Sequence, residues 1–203
     1  MSRFIETIRA EYGLIPHLRR HQERMSETLR DHGQTAVPDL QFLLKEADLS
    51  QPGRLRIRIE YGDDGWLQWA VYPYMRQTID KMRIVNITPP DYRYKYADRG
   101  WLHALRSQSG ADEIIIVRDG LITDASIANL VFQDRSGWWT PDSPLLKGTE
   151  RARLLELGII REARIMPSDL SSFNGFRMIN AMLPWEDDLT HDLSLIDPKE
   201  ICL

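Results

Sequence analysis

From Arg54 onward the chain alternates apolar and charged residues in steps of two, and no other feature constrains its fold as tightly. Leu55, Ile57, Ile59 and Tyr61 are separated by Arg56, Arg58 and Glu60. Successive side chains on a strand point to opposite faces, so this run has one apolar and one polar face. Gly62-Asp63-Asp64-Gly65 then turns the chain, and Trp66 to Tyr72 returns as the partner strand. A polar helix runs from Pro16 to about Arg30, with Leu18, Met25 and Leu29 for its buried side, and Pro38 to Glu46 predicts a second, short helix.

Phe4 to Arg9 also alternates, Glu11-Tyr12-Gly13 reads as a turn, and Leu14-Ile15 resumes, a short hairpin signature. Arg83 to Thr88 predicts another strand, which Pro89-Pro90 breaks. The amino-terminal half is therefore expected to be an α+β layer of mostly antiparallel strands. Beyond the prolines a helix is predicted from Asp98 to about Ser109, capped by Asp98 and ended by Gly110. Glu113 to Val117 and Leu121 to Thr123 form a hairpin about Asp119-Gly120, and Leu130 to Gln133 and Trp138 to Thr140 continue as strands. Gly148-Thr149-Glu150 opens a helix to Leu157, ended by Gly158, and Arg164 to Met166 and Phe176 to Leu183 are the last strands. A boundary near Pro89-Pro90 gives two subdomains, residues 1–90 and residues 91–203.

Composition narrows function by exclusion. A net charge of -4 over 203 residues, with no basic stripe, argues against nucleic acid as a partner. A single cysteine, Cys202, leaves no disulfide framework or cysteine zinc cluster. The amino terminus has no apolar core of signal-peptide length, and no stretch has the apolar length to span a bilayer. The expected setting is cytoplasmic, without membrane contact. His17 and His21 lie four apart on the first helix, a spacing that can hold a metal. No third ligand accompanies them, so no metal is expected.

Among five lysines, Lys45, Lys81, Lys147 and Lys199 have polar surroundings, whereas Lys95 lies between Tyr94 and Tyr96, with Arg93 and Arg99 close in sequence. A nucleophilic lysine must shed its proton, and partial desolvation with neighbouring cations promotes this. Composition alone leaves a surface lysine on a tyrosine-rich strand as the plainer alternative.

Several segments in register add a resemblance. Phe4-Ile5-Glu6-Thr7-Ile8-Arg9, His21-Gln22-Glu23-Arg24-Met25, Lys95 with Arg99 four residues on, and Ala111 to Phe132 through Asp124 and Asn129 follow one another. Thr140-Pro141 with Leu146-Lys147-Gly148-Thr149-Glu150-Arg151, and Asn180-Ala181-Met182-Leu183-Pro184, complete the series. In this order they resemble the motifs of class IV aminotransferases, and the last run is similar to that of aminodeoxychorismate lyases.

The resemblance implies an α+β, two-subdomain fold type IV architecture like that of D-amino-acid aminotransferase, shortened at both ends. It implies pyridoxal 5'-phosphate as cofactor, with Lys95 as the cofactor lysine and catalytic residue. Arg24 is implied as a phosphate ligand. Gly148 lets backbone approach, and the amides of Thr149 and Glu150 open a helix that favours an anion. Asp124 stands where the family has glutamate and would keep the pyridine nitrogen protonated, with one methylene less of reach. Asn129, Asn180 and Ala181 are implied as further cofactor-binding positions.

For function the resemblance implies a lyase that eliminates pyruvate from aminodeoxychorismate and leaves 4-aminobenzoate, a folate precursor. A transaminase for branched-chain or D-amino acids shares the same cofactor signature. A family member that binds without turnover is a third possibility, suggested by Asp124 and the shortened ends. The implied partners are a small amino- and carboxylate-bearing substrate and a second copy of the chain in a homodimer.

Overall fold

Leu55, Ile57, Ile59 and Tyr61 are all buried, as their alternation requires. They belong to β2 (Arg54–Gly62), the middle strand of a three-stranded antiparallel sheet with β1 (Arg3–Glu11) and β3 (Leu67–Pro73). This computed structural model describes residues 1–202, apart from the side chains of Glu200 and Cys202. By its internal contacts the chain divides into two units, residues 1–76 with 94–98, and residues 77–93 with 99–203.

In the first unit β1 pairs with β2 over its whole length, with Phe4 opposite Tyr61 and Ile8 opposite Ile57. Phe4, Ile8 and Ala10 of β1 join the β2 residues in one apolar cluster. Helix α1 (Leu18–Asp31) covers that cluster with Met25 and Leu29, and α2 (Leu40–Leu43) adds Leu40. Each such side chain contributes about 1.5–3 kcal/mol on burial. The expected hairpin after β1 reduces to a single bridge between Glu11 and Leu14. Tyr12 and Gly13 both take positive φ, 52° and 75°, which gives a tight reversal, and β1 spends its pairing edge on β2 instead. Helix α1 starts two residues after Pro16 because His17 is left-handed, with φ 58°.

The second unit is an eight-stranded sheet. Its strands are β4 (Met82–Asn86), β5 (Glu113–Arg118), β6 (Leu121–Ala125), β7 (Asn129–Asp134), β8 (Gly137–Pro141), β9 (Arg161–Ala163), β10 (Gly175–Ile179) and β11 (Ile196–Cys202). The order is β11-β4-β5-β6-β7-β8-β9, with β10 also paired to β7. Strands β4 and β5 are parallel, and α3 (Gly100–Ser109) lies between them in sequence; likewise α4 (Thr149–Glu156) lies between the parallel pair β8 and β9. Parallel neighbours need such crossovers. Strand β7 is buried on both faces. Leu130 and Phe132 meet the main core, and Val131 meets Leu154, Ile160 and Ile179 on the other side. A strand covered twice reads as a continuous apolar run rather than an alternating one.

Three boundaries differ from expectation. Helix α3 has Arg99 at its cap position, one residue beyond the expected Asp98, and Gly110 ends it in the left-handed conformation. Strand β9 falls at 161–163 rather than 164–166, because its pairing with Trp139–Pro141 sets its place. Strand β10 stops at Ile179, and Asn180 bridges Leu183 in a turn. Strand β11 was not foreseen: Pro198 and the charges around it hide a parallel partner for β4. Among the described residues no helix is long and apolar enough to cross a membrane.

Candidate active site

Strand β1 turns Phe4, Glu6, Ile8 and Ala10 inward. Glu6 thus puts a carboxylate, 0% exposed, on an apolar face. A buried ion is tolerated only with close partners, and α1 supplies them at positions three apart on one face. Arg24 grips the carboxylate with two parallel bonds, Nε to Oε1 at 2.8 Å and Nη2 to Oε2 at 2.5 Å. His21 Nδ1 lies 2.6 Å from Oε2. Burial disfavours the Glu6 charge, but Arg24 and His21 outweigh it and hold the carboxyl at about 2. Burial, only partly offset by Glu6 and reinforced by Arg24 and Lys95, pushes His21 down, so the neutral ring donates Nδ1–H to Glu6. The Tyr61 hydroxyl is pushed up, first by burial and then by Glu6.

The segment bearing Lys95 is stitched to the edge of β1. The Ile5 amide donates to the Lys95 carbonyl at 2.9 Å, the Ala97 amide donates to the Arg3 carbonyl at 2.8 Å, and Phe4 bridges Tyr96. Tyr94 and Tyr96 pack against Phe4, with ring centroids 6.1 and 5.3 Å away, and the Tyr94 hydroxyl donates to Asp31 at 3.0 Å. The tyrosines thereby fix the backbone on both sides of the lysine. Lys45, Lys81, Lys147 and Lys199 are exposed, and Lys95 is half-buried.

In the second unit Asp124 and Asn129 face each other across the pairing of β6 and β7. Asn129 Nδ2 donates to Asp124 Oδ1 at 2.7 Å and also to the Leu146 carbonyl at 2.8 Å. The Leu146 amide donates to Asp124 Oδ2 at 2.9 Å. Asp124 is buried, and burial pushes its carboxyl up to about 6 against the Leu146 amide, Asn129 and the Arg151 guanidinium. The shorter reach of aspartate is thus spent on holding the loop that leads into α4.

That loop ends at Gly148, which precedes α4 in an extended conformation with no side-chain cap. A Cβ on Gly148 would sit 2.0 Å from Asn129 Oδ1, and Asn129 is pinned by Asp124 and Leu146. Glycine is needed there for close approach. The first-turn amides of α4, Thr149 and Glu150 among them, point to the helix N-terminus and suit a phosphate. The Glu150 side chain is engaged elsewhere: it chelates Arg153 at 2.9 and 2.7 Å and accepts the Trp185 amide at 2.9 Å. Only its backbone amide is suited to an anion.

Asn180 organises the turn after β10. Its Oδ1 accepts the amides of Met182 and Leu183 at 2.7 and 2.9 Å, and its Nδ2 donates to the Ile127 carbonyl at 2.9 Å. Ala181 lies within that turn. Sequence reasoning gives Glu6, Arg99 and Glu113 no site role and weighs His21 only as a metal ligand, although all four lie in the motifs quoted above. Each is polar with a buried partner, and a charged residue on the apolar side of an alternating strand is the signal that marks Glu6. His17 is exposed and His21 is committed to Glu6, and no metal-holding group of His, Cys, Asp or Glu occurs among the described residues.

The sequence pattern of the family described as Amino-transferase class IV matches residues 3–185. An uncharacterized protein of Haemophilus influenzae is 37% identical over 186 residues, which is 90% of this chain and 98% of the relative. The crystal structure of a candidate 4-amino-4-deoxychorismate lyase from Haemophilus somnus superposes with a TM-score of 0.81 at 33% identity, covering 91% of this chain and 98% of that one. A hypothetical aminotransferase from Mycobacterium tuberculosis, in its PLP-bound form, superposes with a TM-score of 0.79 at 17% identity, over 97% of this chain and 82% of that one, and shares the fold.

Proposed function

Because the chain belongs to the class IV aminotransferases, a pyridoxal-phosphate-dependent family of fold type IV, we propose that Lys95 carries this cofactor in a working enzyme. The substrate is an amino-substituted carboxylic acid, and the reaction is that of 4-amino-4-deoxychorismate lyase, release of pyruvate with formation of 4-aminobenzoate. The observation that carries the cofactor assignment is Asp124, a buried carboxylate at about 6 held between Asn129 and the loop into α4. The lyase assignment is supported by the likeness to the Haemophilus somnus protein and by the Asn180–Pro184 run.

Pyridoxal phosphate, when bound, supplies an electron sink for the pair left on a substrate carbon. Lys95 Nζ would anchor it and would accept and return protons during the reaction. Asp124 holds a negative charge for the ring nitrogen, and a cation beside it draws its carboxyl below about 6. The amides of Thr149 and Glu150 would suit the phosphate, and Arg24, oriented by Glu6, is proposed as a cationic ligand. Asn129 keeps Asp124 and the Gly148 loop in place, and Asn180 and Ala181 are proposed as further cofactor-binding positions.

The deciding experiment incubates purified holoprotein with aminodeoxychorismate and follows pyruvate and 4-aminobenzoate, beside a parallel reaction with an amino acid and 2-oxoglutarate. Pyruvate and 4-aminobenzoate in the first reaction support the lyase. Product only in the second replaces it with a transaminase, and bound cofactor with neither product leaves a non-catalytic binder. A homodimer in the cytoplasm belongs to the same proposal, and light scattering that shows a fully active monomer contradicts the dimer.

A further inference from the structure

The crossover between β6 and β7, Ala125–Ala128, is anchored by side chains from three distant elements. Ser126 is buried. Its amide donates to Glu113 Oε1 at 2.9 Å, and its carbonyl accepts from Arg99 Nη2. One residue later the Ile127 carbonyl accepts from Asn180 Nδ2 at 2.9 Å. The crossover also closes on itself, Ala125 amide to Ala128 carbonyl at 2.9 Å. Loops this short form routinely from local bonds of that kind, so the outer anchors serve more than closure.

The anchors are costly. Glu113 is fully buried, and its Oε1 accepts the Ile114 and Ser126 amides, both at 2.9 Å. Its Oε2 is buried without a hydrogen-bond partner, and Arg106 Nη1 stands 3.9 Å away. Arg99 Nε is likewise buried without a hydrogen-bond partner. Atoms left in that condition are expensive, and a neutral side chain could satisfy one amide for less. The Glu113 carboxylate takes the N–H of the Ala125–Ser126 peptide and the Arg99 guanidinium takes the C=O of the Ser126–Ile127 peptide, so the two peptides that flank Ser126 are both held.

That hold bears on the site because the crossover spans the interval between Asp124 and Asn129. We propose that Arg99 and Glu113 are positioning residues that clamp the peptides on the two sides of Ser126 and so fix Asp124 and Asn129 for the cofactor. They act through Ser126 rather than on the reacting atoms. The inference rests on the cofactor chemistry proposed above.

The test uses holoprotein of the wild type and of Glu113→Ala, Glu113→Gln, Arg99→Ala and Arg99→Lys. Three quantities are read: the pyridoxal-phosphate dissociation constant, the pH midpoint of the bound cofactor's visible absorption, and amide hydrogen exchange at 124–129 in the apoprotein. Misplacement of a site group by a fraction of an ångström to 1 Å costs up to about a hundredfold, so the alanine variants are expected to weaken cofactor binding by about ten- to a hundredfold and to move the midpoint. Glu113→Gln keeps an acceptor for the Ser126 amide and is expected to recover most of the affinity, which a loss of packing alone would not explain. Arg99→Lys loses the planar fork and is expected to resemble Arg99→Ala, and it carries the arginine arm of the test if the alanine variant does not fold. Unchanged dissociation constant and midpoint in the alanine variants overturn the proposal, as does Glu113→Gln behaving like Glu113→Ala. If the wild type takes up no cofactor, the function proposed above fails by itself. Hydrogen exchange still decides the clamp in that case: faster exchange of the Ser126 amide in Glu113→Ala supports it, and unchanged protection overturns it.

Discussion

The side-chain oxygen of Asn129 lies 2.0 Å from the point where a Cβ on residue 148 would begin, so the Gly148 backbone and the Asn129 amide occupy adjoining space with no room for a methyl group. Gly148→Ala must therefore displace a side chain that Asp124 and the Leu146 carbonyl both hold. Overpacking of this kind costs about 1–3 kcal/mol. Chemical denaturation is expected to show that loss, and a spectroscopic titration a weaker hold on pyridoxal phosphate. A variant with wild-type stability and affinity would show that the Asn129 amide yields freely.

Lys95→Ala removes the proposed cofactor amine from a segment whose backbone is tied to β1 independently of that side chain. The variant is expected to fold with a melting temperature near that of the wild type and to lose the visible absorption of bound cofactor together with all turnover. Absorption and activity that survive the substitution would place the cofactor amine elsewhere.

Glu6 gives acid sensitivity. Its carboxyl is held at about 2 in the folded chain against an ordinary 4.5. A depressed acid stabilises the fold above its unfolded value and loses that contribution as pH falls from about 4.5 toward 2, on the order of 3 kcal/mol in all. His21, also depressed, acts in the same direction as pH falls. Glu6→Gln is expected to flatten this part of the profile and to lower stability at neutral pH by about 3–5 kcal/mol, because Arg24 loses its buried partner. Denaturation midpoints measured between pH 2 and pH 7 check both statements.

Asp124 works in the opposite sense. Its carboxyl is raised from 3.8 to about 6, so its contribution is fully present below 3.8 and is lost as pH rises through about 6. The wild-type apoprotein is expected to gain stability relative to Asp124→Asn as pH is lowered from 7 to 4, by on the order of 3 kcal/mol. A difference between the two proteins that stays constant with pH would mean that Asp124 titrates normally.

Asn180→Ala leaves the Met182 amide and the Ile127 carbonyl without this partner, whereas the Leu183 amide keeps the Asn180 backbone carbonyl. Each buried group left unmet costs about 1–3 kcal/mol. Asn180→Asp keeps the acceptor for the Met182 amide but sets a carboxylate oxygen against the Ile127 carbonyl, so thermal melts are expected to place both variants below the wild type.

What the sequence made legible, it made legible through local chemistry. The alternation in β2, the left-handed Gly110 after α3 and the glycine before α4 each depend on a few adjacent residues, and each is where it was expected. Lys95 stood out for its tyrosine neighbours, and those rings do brace its segment against Phe4. The features that were missed depend on partners far away in sequence. Glu6 meets His21 and Arg24 only because α1 packs on β1, and Ser126 meets Glu113 and Arg99 only because three elements converge. Strand β9 was placed three residues late because its register belongs to β8. Asp98 looked like a helix cap by type, yet the helix starts beyond it at Gly100.

Strand β11 lies parallel to β4, with Ile196 opposite Met82 and Asp197 within 3.3 Å of Arg83. During synthesis β4 leaves the ribosome more than a hundred residues before this partner does. One edge of the growing sheet, with Met82 and Ile84 beside it, stays open for that whole interval. An open edge of this kind is a template for pairing with other chains. The β4 edge of the nascent protein is therefore open to pairing with other chains until residues 196–202 have been made.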